Sequence, residues 1–145
     1  VEQSPDYENK KGTIIDSNKL EYFSKFKTKL IDILTTALKN DKAKNLICEG
    51  NKYFDLNKCG IGYHGDTERR KVICLSLGGK EYPMNWVWFQ KHKPIKAPYE
   101  FKLNSGDLYI MSEKAVGNDW KKSNIPTLRH AAGVNKYISL NKYLK

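Results

Sequence analysis

Apolar residues recur three or four apart early in the chain and then change rhythm. Across residues 19–40, Leu20, Phe23, Phe26, Leu30, Leu34 and Leu38 fall on one face of a 3.6-residue period, which predicts an amphipathic packing helix. Asp16 and Ser17 offer side-chain oxygens to cap its start, and Lys39-Asn40 closes it. Residues 1–16 show no period and read as an arm with little structure of its own. From residue 45 the apolar runs shorten and become β-branched and aromatic: 45–50, 61–64, 71–77, 86–89, 99–103, 107–111, 128–130 and 136–140, punctuated by Gly, Pro, Asn and Asp. One helix followed by about eight short strands predicts a mainly β (α+β) fold, a sandwich or jelly roll with an N-terminal packing helix. The 145 residues suit one domain, with 1–44 as arm and helix and 45–145 as the β core.

Composition narrows the setting. At 39% hydrophobic residues the chain is globular rather than disordered. No apolar run approaches the ~18 residues of a membrane span, and the first residues lack the apolar region of a signal peptide. The chain begins with Val rather than Met, which leaves room for a preceding segment. Cys48, Cys59 and Cys74 are odd in number and unpaired in spacing, so they make neither a zinc knuckle nor a disulfide framework. They favour an intracellular reducing compartment, cytoplasm or nucleus. The net charge of +10 and pI near 9.4 point to a polyanionic partner, nucleic acid first, unless lysine-rich surface text such as KNDKAKN supplies the excess by composition alone. Two longer connections, 90–98 (QKHKPIKAP) and 112–126 (SEKAVGNDWKKSNIP), concentrate lysine in loops, where function usually resides on a β scaffold.

The candidate chemistry lies in the histidines, of which there are three. His92 sits in a lysine-rich loop and reads as solvent-facing. His64 and His130 both end predicted strands, and Asp66 follows His64 by two. Two imidazoles and one carboxylate, two of them on one turn and the third distant, match the ligand set of non-haem Fe(II) oxygenases, although His64-Gly65-Asp66 taken alone reads more readily as a polar turn between two strands. Alternate residues of an extended segment share a face, so one spacer lets His64 and Asp66 project together.

The text around this turn resembles the AlkB-like Fe(II)/2-oxoglutarate-dependent dioxygenases, over roughly residues 45–142. The shared motifs are Asn51-Lys52-Tyr53, then Gly60-Ile61-Gly62-Tyr63-His64-Gly65-Asp66 with Glu68, then Ile73-Cys74-Leu75-Ser76-Leu77-Gly78. Gly106-Asp107 leads into Leu108-Tyr109-Ile110-Met111, and Arg129-His130 completes the set. The resemblance implies a double-stranded β-helix (jelly roll, cupin-like). It implies Fe(II) on His64, Asp66 and His130, 2-oxoglutarate as co-substrate, dioxygen as oxidant, and Asn51 and Tyr53 hydrogen-bonded to the co-substrate unless they serve the core. The family closes with two arginines six apart for the 2-oxoglutarate carboxylates; here Lys136 and Lys142 keep the spacing, as point charges rather than bidentate forks. Residues six apart on a strand face the same side, so both could point into the barrel, Lys136 as the stronger candidate for the distal carboxylate. Lys142 reads equally as a solvated lysine, and Arg129 is an alternative anion partner, although it is expected to face away from His130.

The implied reaction is oxidation of alkylated or unmodified nucleic-acid bases by demethylation or hydroxylation, the chemistry of DNA repair. The alternative is a protein or small-molecule hydroxylase using the same centre, because the fold does not choose the substrate. Arg69 and Arg70 either contact phosphates or solvate a turn. Trp86 and Trp88, alternate positions of one strand, either pack in the core or form a platform for a stacked base.

Overall fold

A computed structural model describes residues 2–39 and 41–144, the side chain of Lys42 excepted. It divides into two compact units, residues 1–50 and 51–145.

In the first unit α1 spans Glu21–Leu38, and Asn40, expected at its close, lies outside the described residues. Lys39 ends the helix in the left-handed conformation, φ 49°. Asp16 does cap, but for a short 3-10 turn, Ser17–Lys19, whose Asn18 N–H donates to its carboxylate at 2.9 Å. The arm is more ordered than its sequence suggests. Gln3 and Ile14 exchange backbone hydrogen bonds (3.0 and 2.9 Å), and Asp6 accepts from Asn9 at the turn between them.

The second unit is β. Its strands are β1 (Gly60–His64), β2 (Ile73–Leu75), β3 (Tyr82–Gln90), β4 (Lys93–Pro94), β5 (Tyr99–Leu103), β6 (Leu108–Ile110) and β7 (Thr127–Gly133), followed by a helical turn, α2 (Asn135–Ile138). A five-stranded antiparallel sheet runs β1-β7-β3, with β5 and β4 both bordering β3, and β2 pairs with β6 in a second, two-stranded sheet. The pairs are nested: β1 with β7, β2 with β6, β3 with β5. In strand order these three pairs are all centred on β4, as when an antiparallel ribbon folds back on itself.

Two expected strands are absent. Residues 45–50 form none, and 136–140 instead holds the helical turn α2 followed by extended Ser139. Gly133 explains the second departure. At φ +104° it turns the chain out of the sheet, and it lies so close to the Cys59 carbonyl and Gly60 that a β-carbon has no room. Beyond it, Asn and Lys have little β preference, and Asn135–Ile138 coils instead.

β3 and β7 divide the apolar side chains between two faces. Met84, Trp86 and Ala132 lie on one, with Leu103 and Ala115 and against Tyr109 and Met111. Val87, Phe89, Ala131 and Tyr63 lie on the other, covered by Ile138, Leu140 and Tyr143 of the C-terminal segment. Val87 and Phe89 are fully buried, each contributing about 1.5–3 kcal/mol.

Gly133→Ala should therefore destabilise the β unit by roughly 3 kcal/mol or more, combining strained φ with overlap. Gly78→Ala, also at positive φ (+69°) but with nothing within 4 Å, should cost only about 1 kcal/mol. Urea unfolding followed by tryptophan fluorescence checks this, because Trp86, Trp88 and Trp120 all belong to this unit. Equal costs would show that the close approach at Gly133 carries no energy.

Candidate metal centre

β1 and β7 pair Gly60 with Gly133 and Ile61 with Ala132, yet the next pair is His64 with His130. Three steps along β1 thus match two along β7, so β1 carries a one-residue bulge. The bulge places both Gly62 and Tyr63 toward the C-terminal segment. A β-carbon on Gly62 would lie 3.5 Å from Lys142 Nζ, and Tyr63 Oη donates to the Ile138 carbonyl at 3.0 Å. His64 is thereby returned to the inner face, opposite His130, with the two ring centroids 4.2 Å apart.

Asp66 stands just beyond the strand. Its N–H donates to the Ala115 carbonyl (3.0 Å), and its own carbonyl accepts from Gly117 N–H (2.8 Å), a parallel bridge to Val116. So fixed, its Oδ1 lies 3.6 Å from His64 Nε2 and its Oδ2 lies 3.5 Å from an Arg69 guanidinium nitrogen. The one-residue spacer has a physical reason to be glycine. A β-carbon on Gly65 would sit 2.7 Å from Cγ of Trp120, whose indole N–H donates to Thr67 Oγ1 and seals the turn from outside.

His64, Asp66 and His130 bring one ligand atom each to within 4.8 Å of one another, the one such group among the described residues. Their chemistry fits a divalent cation. His64 Nδ1 meets the Gly62 carbonyl at 2.8 Å, an orientation that frees Nε2 for a metal, as protein imidazole ligands commonly require. His130 is 4% exposed, and its Nδ1 has no hydrogen-bond partner among the described residues. Burial, then the neighbouring His64 and Arg69, push its pKa down to about 3, so the ring is a neutral donor at physiological pH. Trp86 lies against it with centroids 4.9 Å apart and, 9% exposed, packs in the core rather than offering a platform to a base. Tyr109 meets Trp86 edge-on. Burial first, then a hydrogen bond with Cys74 and charges including Asp66, hold its phenol well above the usual range.

The other expected site residues do not converge here. Lys136 and Lys142 are not on a strand; both are exposed on the C-terminal helical turns, their ammonium groups each 4.8 Å from a neighbouring tyrosine ring, Tyr137 and Tyr143. That segment covers the outer face of the sheet, so the lysines lie across it from His130. Arg129 does face away from His130, buried with its guanidinium over Phe89 (4.5 Å) and near Trp120 (5.8 Å). Asn51 is exposed outside any strand, and Tyr53 is half-buried against Tyr82, centroids 5.0 Å apart. Arg69 serves Asp66, Arg70 is exposed, and Trp88 is half-buried beside Leu128. Trp120 and the Ala115–Val116 backbone escaped sequence reasoning. The available clue was a lone tryptophan in a lysine-rich loop.

No family model matches the chain, and no solved structure matches it. It is similar to an uncharacterized protein of Acanthamoeba polyphaga mimivirus, 43% identical over 138 residues. The match covers 95% of this chain and 51% of that protein, so the chain spans about half the length of the curated relative it matches. Among the described residues no helix is long and apolar enough to cross a membrane.

The depressed His130 pKa sets a pH dependence. Between about 3 and the ordinary 6.5 the unfolded chain binds the proton and the folded one does not. Its contribution to stability is therefore complete above pH 6.5 and lost as pH falls, at up to about 1.4 kcal/mol per unit. In metal-free protein, His130→Gln should flatten the fall in stability between pH 6.5 and 4.5. Parallel curves for the two proteins would show that His130 titrates normally.

Proposed function

We propose that this chain is the catalytic core of an AlkB-like Fe(II)- and 2-oxoglutarate-dependent dioxygenase acting on nucleic-acid bases. The observation that carries the reading is the meeting of His64, Asp66 and His130 on the inner face of the β unit, from the three sequence positions the AlkB-like pattern reserves for iron. The nested strand pairs support it, since a jelly roll is built from such pairs. The charge of +10 supports a polyanionic substrate.

In this reading His64, Asp66 and His130 hold Fe(II), which when bound supplies dioxygen activation coupled to 2-oxoglutarate oxidation. The protein's own work is positional. Asp66 would offer the ion the carboxylate oxygen that faces His64, while Arg69 holds the other. The Gly62 carbonyl fixes the orientation of His64, and Trp86 and Trp120 close the centre from two sides. Lys136 and Lys142 occupy the outer layer, so in this reading another cation would hold the carboxylates of 2-oxoglutarate.

With Fe(II) and 2-oxoglutarate the protein should release succinate, faster with methylated oligonucleotides than with peptides. His64→Ala and Asp66→Ala should each abolish turnover. Lys136→Ala and Lys142→Ala should leave the 2-oxoglutarate requirement within about twofold, since neither reaches the centre. Turnover surviving His64→Ala would overturn the metal assignment, and a preference for peptides would transfer the reading to protein hydroxylation.

A further inference from the structure

The two lysine-rich connections meet at one end of the five-stranded sheet. Lys91 N–H donates to the Ser123 carbonyl at 2.6 Å, and Gln90 Nε2 donates to the Asn124 carbonyl at 3.1 Å. The β3–β4 hairpin is thereby tied to the segment following the 3-10 turn Asp119–Lys121. Lys91, Lys93, Lys96 and Lys121 are all exposed, and among the described residues none of them forms an ion pair. The adjacent acid, Asp119, is already neutralised by Lys122 at 2.8 Å.

The backbone gives this surface more weight than lysine content alone. Gln90 pairs with Lys93, so Lys91 and His92 are the two central residues of a two-residue hairpin, with φ 48° and 62°. Such turns favour Asn-Gly, because side chains with a β-carbon are strained at positive φ. The chain instead displays a lysine and a histidine at the tip, both exposed, and strain retained in this way points to a use for the side chains.

The surface also adjoins the candidate metal centre. Lys121 follows Trp120, the residue packed on Gly65 and bonded to Thr67. The hairpin begins four residues along β3 from Trp86, the partner of His130, or about 13 Å.

We propose that the hairpin tip, residues 91–93, together with Lys96 and Lys121, binds the phosphate backbone of single-stranded nucleic acid and holds it beside the His64–Asp66–His130 group. The partner's identity rests on the nucleic-acid reading above, whereas the binding itself needs no metal. Lysines on flexible stems recognise phosphates as point charges without reading sequence. A single strand suits the site because a base must be unstacked to reach a centre inside the β unit.

Fluorescence anisotropy of metal-free protein with a labelled single-stranded oligonucleotide, across a salt series, tests this. Lys91→Gln/Lys93→Gln/Lys121→Gln should lower the slope of log affinity against log salt by about 2, from three contacts at about 0.7 each. Lys11→Gln/Lys25→Gln/Lys29→Gln, in the other unit, should leave the slope unchanged. Lys91→Asn/His92→Gly, which suits the turn, should raise the melting temperature yet weaken binding severalfold, so loss of fold cannot explain its effect. An unchanged slope in the first variant, or a stabilised turn variant that binds like the wild type, overturns the proposal. So does binding to phosphatidylserine vesicles with none to the oligonucleotide. Iron-dependent 2-oxoglutarate turnover without any oligonucleotide binding overturns this surface and leaves the dioxygenase reading standing. His64→Ala protein that binds the oligonucleotide but does not turn over keeps the surface.

Discussion

Between Ile61 and His64, β1 carries one residue more than its partner β7, and the side-chain order of the strand turns on it. In even register Tyr63 would stand opposite His130, and His64 would stand opposite Arg129 on the outer face. Side chains alternate strictly along a strand, so one residue of slip exchanges every inward and outward position beyond it. The bulge sends Tyr63 outward to the Ile138 carbonyl and brings His64 to His130. The candidate ligand set depends on that single irregularity.

The same alternation gives β7 two opposed chemistries on neighbouring residues. His130 faces inward, neutral, against Trp86; Arg129 faces outward over Phe89 and near Trp120. Burial disfavours the charged form of both, yet arginine keeps its charge through an intrinsically high pKa while histidine gives its charge up. Trp120 links the two sides, touching Arg129 and closing the His64-Gly65-Asp66 turn. The loop that carries Trp120 also carries Lys121, so one segment both seals the centre and contributes to the basic edge beside it.

Much of this was legible in the chain because its signals are local. The period of α1, the apolar runs that became β1 to β3 and β5 to β7, and the one-residue spacing of His64 and Asp66 each depend on a few adjacent residues. The distal His130 was legible through its motif. What escaped depends on partners far away in sequence. Residues 136–140 looked like a strand by composition, but Gly133 diverts the chain before they can pair, which moves Lys136 and Lys142 to the outer layer. Gly65 gave no sign of Trp120, nor did β1 announce its bulge, since register belongs to a pair of strands. The order of the arm is hidden in its sequence for a related reason: Gln3 and Ile14 pair across a turn in which Asp6 accepts from Asn9.

X-ray absorption at the iron edge of Fe(II)-reconstituted protein addresses the central claim most directly, because it reports the ligands themselves. One iron per chain with scattering from two imidazoles and otherwise oxygen donors is the expected result, falling to one imidazole in His130→Ala. An all-oxygen shell, or an unaltered spectrum in His130→Ala, would contradict it: the metal would then lie elsewhere, and the bulge in β1 would serve packing alone.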